Sequence, residues 1–178
     1  CKDIAHSLTV GSLNDFDMVY NFGQNKDVIT VEIENVSIEA LEKLEGEGKK
    51  VFPQPAVLKI IRDKGLQKQF YADHNIPTPA FYLVNNKEEI NNYISEFPFM
   101  QKMRTGGYDG KGVQVINSIS DIEKAFDAPS VLEQKVAIQK EIALIVAINE
   151  KGATAIYPVS EMMVNPVLNL LDYQLSPA

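Results

Sequence analysis

A glycine-rich segment in the second half of the chain has the residue types of an anion-binding loop. Four glycines fall within the seven residues 106–112, with Arg104 before them and Lys111 among them. Glycines let backbone N–H groups turn toward an anion without side chains in the way. A Walker A loop would have Ser or Thr where this chain has Gly112, and the dinucleotide fingerprint does not fit either. The pattern predicts a flap that folds over phosphates, with an ordinary hairpin turn as the alternative.

The strand that leads into this loop contains a lysine in a favourable position. Alternation along the strand places Lys102 on the face opposite to Gln101 and Met103, so that its ammonium can reach a phosphate from a rigid element. Charge-assisted hydrogen bonds of this kind contribute about 1.5–3 kcal/mol each. A solvated surface lysine is the alternative, and the position directly before the loop favours phosphate binding.

A short polar segment further along the chain could bind an adenine base. Glu133, Gln134, Lys135 and Val136 lie between two apolar runs, and Glu141 stands eight residues after the first of them. Adenine needs an acceptor for its exocyclic amine and a backbone donor for a ring nitrogen, while ribose hydroxyls bind carboxylates. The extended segment could supply the first two groups and Glu141 the third, and exposed surface charge is the alternative for each residue.

Two carboxylates lie near the end of a predicted strand in the first quarter of the chain. Residues 28–34 alternate between apolar and polar types, which predicts a strand with Glu32 and Glu34 on its polar face. Ligands of open α/β sheets lie beyond the carboxyl ends of the strands, so this position favours substrate binding. Helix capping or exposure to solvent is the alternative.

The other residue types indicate neither a metal site nor a nucleophile. His6 and His74 have no partner at metal-ligand spacing, and no Ser-His-Asp or Cys-His set is found. A net charge of −7 and a pI near 4.9 argue against nucleic-acid binding, which needs clustered Lys and Arg. A single nucleotide needs only a few local cations.

Helix signals follow the strand with the two carboxylates. Ser37 predicts the N-cap of a helix that Gly46 and Gly48 can end. Pro55 predicts the first turn of another helix, which continues to residues 75–77, and we expect Gly65 to break it in two.

A change of character at Pro77 and Pro79 predicts a boundary between subdomains, and a short extended run follows at residues 80–84. Residues 98–103 and 113–116 predict the strands on either side of the glycine loop. These two strands are the elements that must position Lys102 and the flap.

Two turn signals organise the last third of the chain. Ser120 and Glu123 predict a capping box for a short helix. Residues 149–152 predict the turn of a β-hairpin between the apolar run 142–148 and residues 153–158.

The composition is that of a soluble protein with one or two cores. Of its 178 residues, 45% are hydrophobic and 23% charged, and the longest aliphatic run, residues 142–148, is far too short to span a bilayer. The one cysteine, Cys1, cannot form an internal disulfide. We therefore expect a cytoplasmic location and no membrane partner. Because no Met or leader-like stretch opens the chain, we also expect it to be part of a longer protein.

Taken together, these motifs resemble the ATP-grasp carboxylases of purine biosynthesis, specifically the 5-(carboxyamino)imidazole ribonucleotide synthase family. The resemblance covers nearly the whole chain, and the glycine segment with Tyr-Asp inside it is the most specific part. The segments that carry the resemblance are 27–36, 63–69, 76–78, 104–112, 132–134 and 157–158.

The resemblance implies an α/β (α+β) fold, an ATP-grasp fragment with the remainder of an N-terminal Rossmann-like pre-ATP-grasp domain. Residues 1–83 would form the C-terminal part of that domain and the connecting helices. Residues 84–137 would form the small ATP-grasp subdomain with the flap, and residues 138–178 the start of the large subdomain.

The resemblance also implies an activity. Enzymes of that family use ATP and bicarbonate to carboxylate the amino group of 5-aminoimidazole ribonucleotide through carboxyphosphate, releasing ADP and phosphate. The implied cofactors are ATP and Mg²⁺, and the implied assembly is a homodimer. Another ATP-grasp ligase, such as a formate-dependent ribonucleotide transformylase, and a non-catalytic nucleotide-binding module are the alternatives.

Site residues are implied by motif match, position by position. Lys102 and Lys111 would be the catalytic cations, and Glu32, Tyr108 and Asp109 would lie near the aminoimidazole ribonucleotide. The implied ATP-binding residues are Lys64, Lys102, Gly107, Tyr108, Asp109, Gly110, Lys111, Gly112, Val113, Glu133, Gln134, Lys135, Val136 and Glu141. Cations would neutralise the transferring phosphoryl group, while the closed flap would keep carboxyphosphate from water.

Two departures from the family pattern affect the expected activity. Val164 stands where many members carry His, which puts one ATP contact in doubt. The magnesium carboxylates of the family are expected beyond Ala178, and its first glycine-rich strand-loop before Cys1. We therefore expect no ATP-dependent carboxylation from the 178-residue chain alone.

Overall fold

The computed structural model of the chain describes residues 4–107, 111–165 and 170–178. Within these residues, α-helices, 3₁₀-helices and short strands alternate, as the predicted fold class requires. The strands form four sheets, of which one is parallel and three are antiparallel.

The first unit is a small parallel sheet covered by helices. Its elements are α1 (Phe16–Gly23), β1 (Val28–Thr30), α2 (Ile38–Gly46), β2 (Lys50–Phe52) and α3 (Pro55–Arg62). Strand β1 pairs with β2 in parallel, and α2 connects them. The predicted strand over residues 28–34 is too long, because β2 ends at Phe52 and offers no ladder partner beyond it. Glu32 and Glu34 therefore lie in the loop after β1.

The core of this unit lies between α2 and the two strands. Ile38, Leu41 and Leu44 of α2 are buried against Ile29 and Val51. Burying an aliphatic side chain of this size contributes about 1.5–3 kcal/mol. The predicted N-cap is confirmed, since the Ser37 hydroxyl accepts a hydrogen bond from the Ala40 amide at 3.3 Å.

The long helix predicted after Pro55 is two helices, and the break lies at Asp63 rather than Gly65. Asp63 has extended backbone angles, and its carboxylate accepts the amides of Gly65 and Leu66. A side chain that caps a new helix in this way ends the previous one, since it replaces the backbone acceptors. The second helix is α4 (Lys64–Asp73), and α3 starts with Pro55 at its first position, as predicted.

The second unit is a four-stranded antiparallel sheet with the order β3–β6–β4–β5. Its strands are β3 (Phe81–Val84), β4 (Phe99–Met103), β5 (Val113–Ile116) and β6 (Ser130–Gln134). One face packs on two 3₁₀-helices, Glu88–Glu96 and Ile119–Lys124, and buries Val84, Ile90, Phe99, Ile116, Ile122, Ala125 and Leu132. Helix α4 contacts the sheet through Lys68, which reaches Glu133 of β6.

The capping box predicted from Ser120 and Glu123 is wrong by two residues. The box is formed by Ser118 and Asp121, whose carboxylate accepts the amides of Asn117 and Ser118. Both pairs have the same spacing, and the extended backbone of Ser118 decides which of them sits outside the helix.

The last third of the chain forms two small sheets. Its strands are β7 (Glu141–Ala143), β8 (Val146–Ile148), β9 (Thr154–Ile156), β10 (Ser160–Asn165) and β11 (Leu170–Leu175). Strands β8 and β9 pair around the predicted turn at residues 149–152, which confirms the hairpin. The apolar run 142–148 splits between two sheets, because β7 pairs with β10 instead.

None of the helices in the described residues is long and apolar enough to cross a membrane.

Candidate functional site

The glycine loop joins β4 and β5, so the predicted arrangement of strand, loop and strand is confirmed. Gly106 and Gly107 have φ angles of +74° and +73°, a region that favours glycine. A Cβ on Gly107 would lie 2.5 Å from the Cα of Gly112. Gly107 and Gly112 therefore approach each other closely and form a tight neck at the base of the loop. Tyr108, Asp109 and Gly110 lie outside the described residues.

Lys102 projects from β4 as alternation predicts. Its neighbour Gln101 is fully buried on the other face, where its amide donates to the Phe126 carbonyl at 2.9 Å and its oxygen accepts the Phe126 amide at 2.9 Å. These two hydrogen bonds hold β4 in place against the backbone of Phe126. The Lys102 side chain keeps 32% of its surface exposed and forms an ion pair with Glu133.

Glu133 is a buried carboxylate that lies between two lysines. Its side chain is 8% exposed, and it pairs with Lys102 through Oε2 and with Lys68 through Oε1. Burial alone would raise the pKa of Glu133, but the two ammonium groups of Lys102 and Lys68 together lower it below its ordinary value. The carboxylate therefore stays charged and orients both cations.

The N-terminus of α4 is tied to the base of the loop. The Arg104 guanidinium binds the Asp63 carboxylate through Nε at 2.8 Å and Nη2 at 2.6 Å, and the Lys64 amide donates to the Arg104 carbonyl at 2.9 Å. Burial would raise the pKa of Asp63, but Arg104 and the amides of Leu66 and Gly65 lower it below its ordinary value. This contact fixes Lys64 relative to β4.

A cavity of about 240 Å³ lies between the first unit and the glycine loop. Its walls include a carboxylate, an amide side chain, two cationic side chains and the backbone of two glycines. The lining residues are Glu34, Asn35, Ile61, Arg62, Lys64, Thr105, Gly106 and Gly107. Among the described residues, neither Arg62 nor Lys64 has an acidic partner, so the cavity holds two cations that an anion could neutralise.

The segment predicted to bind adenine leaves the sheet at the end of β6. The Gln134 amide donates to the Ala80 carbonyl at 2.8 Å and the Lys135 amide to the Pro98 carbonyl at 3.3 Å. No partner for the Val136 amide is found in the part of the chain that the structure describes. The Val136 amide, three residues after Glu133, is thus an available backbone donor. Its availability suits an adenine ring nitrogen, and the role of the segment stays a prediction.

The remaining predicted site residues are not among those that line the cavity. Glu32 is exposed and does not line the cavity, whereas Glu34 does. Lys111 is exposed next to the neck, and Val113 pairs with Lys102 at the start of β5. Glu141 begins β7 with an exposed side chain. Val164 lies in β10, where it pairs with Leu171 of β11.

Sequence reasoning missed three parts of the site. Lys68 stands four residues after Lys64, a spacing that places both on one face of a helix, and this signal could have revealed it. Arg62 directly precedes the α4 cap, but no local pattern distinguishes it from a surface arginine. The pairing of Asp63 with Arg104 spans 41 residues and depends on tertiary structure.

Among residues 4–107, 111–165 and 170–178, no group of three or more His, Cys, Asp or Glu side chains could hold a metal ion.

Two family models match the chain and together cover most of it. Residues 69–173 match the ATP-grasp domain, and residues 1–62 match the ribonucleotide synthetase preATP-grasp domain. The match to the ATP-grasp model includes the four-stranded sheet with its glycine loop, strands β7 to β10 and the first part of β11.

Three similar proteins illustrate the relationship. The N5-carboxyaminoimidazole ribonucleotide synthase of Synechococcus elongatus is 33% identical over 88% of this chain and 41% of its own length. The crystal structure of the synthetase from Thermotoga maritima matches with a TM-score of 0.84 and 35% identity, over 99% of this chain and 45% of that one. The Staphylococcus aureus N5-carboxyaminoimidazole synthetase complexed with ADP matches with a TM-score of 0.90 and 27% identity, over 100% and 48%. This chain thus spans less than half the length of these three relatives.

Proposed function

Because the chain belongs to the ATP-grasp family, we propose that it holds the phosphates of ATP in a ligase that carboxylates 5-aminoimidazole ribonucleotide with bicarbonate. ADP and phosphate would be released, in the de novo synthesis of purines. The names of the relatives support this reaction, and the ADP complex of the Staphylococcus aureus relative supports the nucleotide.

One observation carries the proposal. Lys102 lies on β4, two residues before Arg104, and Lys64 is the first residue of α4, and the Arg104 contacts tie these two elements together. Preorganised cations of this kind stabilise the charge that develops on a transferring phosphoryl group, because they need no rearrangement during the reaction.

Each element of the site has a proposed role in binding ATP. Lys102 and Lys64 bind phosphate oxygens, and Lys111 adds a cation from the flap. The backbone of residues 133–136 binds adenine, and Glu141 binds the ribose hydroxyls. The flap, residues 107–113, closes over the phosphates and excludes water from the carboxyphosphate intermediate.

The cavity beside the neck suits the second substrate. A ribonucleotide has one phosphate, which Arg62 can neutralise, and hydroxyl and amino groups, which Glu34 and Asn35 can bind. We place the aminoimidazole ribonucleotide here, with Tyr108 and Asp109 of the flap, and with Glu32 at the margin. Two substrates on opposite sides of one flap would then be enclosed by a single closure.

Five further features belong to the proposal. Mg²⁺ accompanies ATP, with ligands other than the described residues. The enzyme is a cytoplasmic homodimer, and its domains divide after residues 83 and 137. The 178-residue chain alone does not catalyse the carboxylation.

Substrate dependence tests the proposed reaction. In a protein of the relatives' length that contains this chain, phosphate release from ATP is expected to require 5-aminoimidazole ribonucleotide and to increase with bicarbonate. Stimulation by formate and glycinamide ribonucleotide instead would indicate a transformylase. Nucleotide binding without phosphate release under either condition would indicate a non-catalytic module.

A further inference from the structure

Lys68 is a buried lysine to which the proposed reaction assigns no role. It lies on α4 with 8% of its surface exposed, and its ammonium donates to the Thr78 hydroxyl and to Glu133 Oε1. The same ammonium lies 5.8 Å from the centre of the Phe81 ring. A buried charge is costly unless it is paired, and these partners make the position of Lys68 fixed.

The carboxylate that binds Lys68 is the one that faces Lys102. Lys68 takes Oε1 of Glu133, whereas Lys102 takes Oε2. The two lysines differ in freedom, since the Lys102 side chain is 32% exposed and that of Lys68 is 10% exposed. Lys102 can therefore turn toward a ligand, and Lys68 cannot.

We propose that Lys68 is a positioning residue that neutralises Glu133 and thereby leaves the ammonium of Lys102 available to a phosphate. This inference rests on the proposed function, in which Lys102 binds ATP phosphate. The cluster of one carboxylate and two ammonium groups has a net charge of +1. The uncompensated positive charge resides on the more exposed lysine, Lys102.

The charge balance predicts what happens without Lys68. In Lys68→Met, Glu133 and Lys102 form a neutral pair in a buried setting, where the attraction between them is stronger than in water. A phosphate would then have to compete with the carboxylate for Lys102. In the double variant Lys68→Met/Glu133→Gln, the carboxylate charge is also gone, and Lys102 again provides a net charge of +1.

The experiment compares the affinities of ATP and adenosine for the full chain and its variants by calorimetry. Lys68→Met is expected to weaken ATP binding about tenfold, the size of one charge-assisted hydrogen bond. Adenosine lacks phosphates, so its affinity should not change, which also shows that the variant is folded. Adding Glu133→Gln to Lys68→Met is expected to restore most of the ATP affinity.

Different outcomes overturn different claims. Parallel losses of ATP and adenosine affinity, or an unchanged ATP affinity, would overturn the role of Lys68 and leave the proposed function in place. No ATP binding by the unsubstituted chain would overturn both.

Glu133→Gln alone provides a test that does not depend on the folding of Lys68→Met. It removes the competitor of Lys102 but keeps the backbone proposed to bind adenine, so the ratio of ATP affinity to adenosine affinity should be at least that of the unsubstituted chain. A tenfold fall in this ratio would overturn the inference.

Discussion

Among the described residues, the ammonium group of Lys102 has one partner, Glu133, and its side chain is exposed enough to gain another. A phosphate oxygen would form a charge-assisted hydrogen bond to it, worth about 1.5–3 kcal/mol. Lys102→Ala is therefore expected to weaken ATP binding roughly 10- to 100-fold in a calorimetric titration. Lys124→Ala, at an exposed position on the 3₁₀-helix 119–124, is the matched control and should leave the affinity unchanged. Equal affinities for both variants would remove Lys102 from the site.

The contact between Asp63 and Arg104 should make stability depend on pH. The pKa of Asp63 is lower in the folded chain than in the unfolded one, so the unfolded chain binds more protons in acid. The stabilisation is complete above the ordinary carboxyl pKa of about 3.9 and is lost as the pH falls through the lowered value.

Asp63→Asn tests this dependence, because Asn can still cap α4 but cannot form the ion pair. We expect its free energy of unfolding to be about 1–2 kcal/mol lower near neutral pH. The deficit should vanish in strong acid. Asp17→Asn, an exposed carboxylate in the first turn of α1, is the control. A deficit that does not change with pH would contradict the role of the carboxylate charge.

At the scale of single residues, local patterns reveal which side chains point together but not which partners they meet. Strand alternation placed Lys102 correctly, because a period of two is a property of the backbone. The link from Glu133 to Lys68 depends on how α4 packs on the sheet, which the spacing between them does not encode. Lys64 came from the resemblance, and Arg62 became visible only through the cavity.

At the scale of elements, a side chain at Gly106 or Gly107 would cause strain for different reasons. Gly106 and Gly107 have nearly the same positive φ, but an added Cβ meets nothing within 4 Å at Gly106 and lies 2.5 Å from Gly112 at Gly107. Alanine at either position costs about 1–2 kcal/mol for the backbone conformation. Only Gly107→Ala must also push the two sides of the neck apart.

Gly107→Ala is therefore expected to lower the melting temperature more than Gly106→Ala, and to weaken ATP binding through a displaced flap. Thermal unfolding and ATP titration of the two variants provide the comparison. Equal effects would show that the Gly107–Gly112 contact does not matter for the position of the flap.

The errors in the predicted boundaries of helices and strands have physical causes as well. Alternation in residues 28–34 continues past β1, but a strand needs a neighbour, and β2 ends at Phe52. The 3₁₀-helix cap moved from Ser120 to Ser118 because equal spacings compete and the backbone conformation selects one. Where the signal is both local and unique, as at Ser37 and Pro55, the element starts where predicted.

For the whole molecule, the resemblance to the ATP-grasp carboxylases is confirmed by the family models and the relatives. The fold class follows from alternating helix and strand signals together with that resemblance. The divisions after residues 83 and 137 stay predictions. The structure adds the connection between the two units, in which α4 is held at Asp63 and at Lys68.

Stability should be unevenly distributed along the chain. The buried hydrophobic residues lie in the first two units, whereas none of residues 134–165 and 171–178 is buried. Large apolar side chains such as Ile145 and Ile156 are about 70% exposed. Amide hydrogen exchange in β7–β11 is expected to be faster than in β3–β6, because little apolar burial opposes local opening. Equal protection in both regions would contradict this distribution of stability.

The central claim is that ATP phosphates lie among Lys64, Lys102 and the glycine loop, with adenine on residues 133–136. Amide hydrogen exchange of the chain with and without ATP tests it most directly, since it locates the bound nucleotide. The account predicts slower exchange with ATP in residues 62–66, 99–107 and 131–136, and no change in α1 or α2. Unchanged exchange in these three segments, or slowing confined to other parts of the chain, would contradict it.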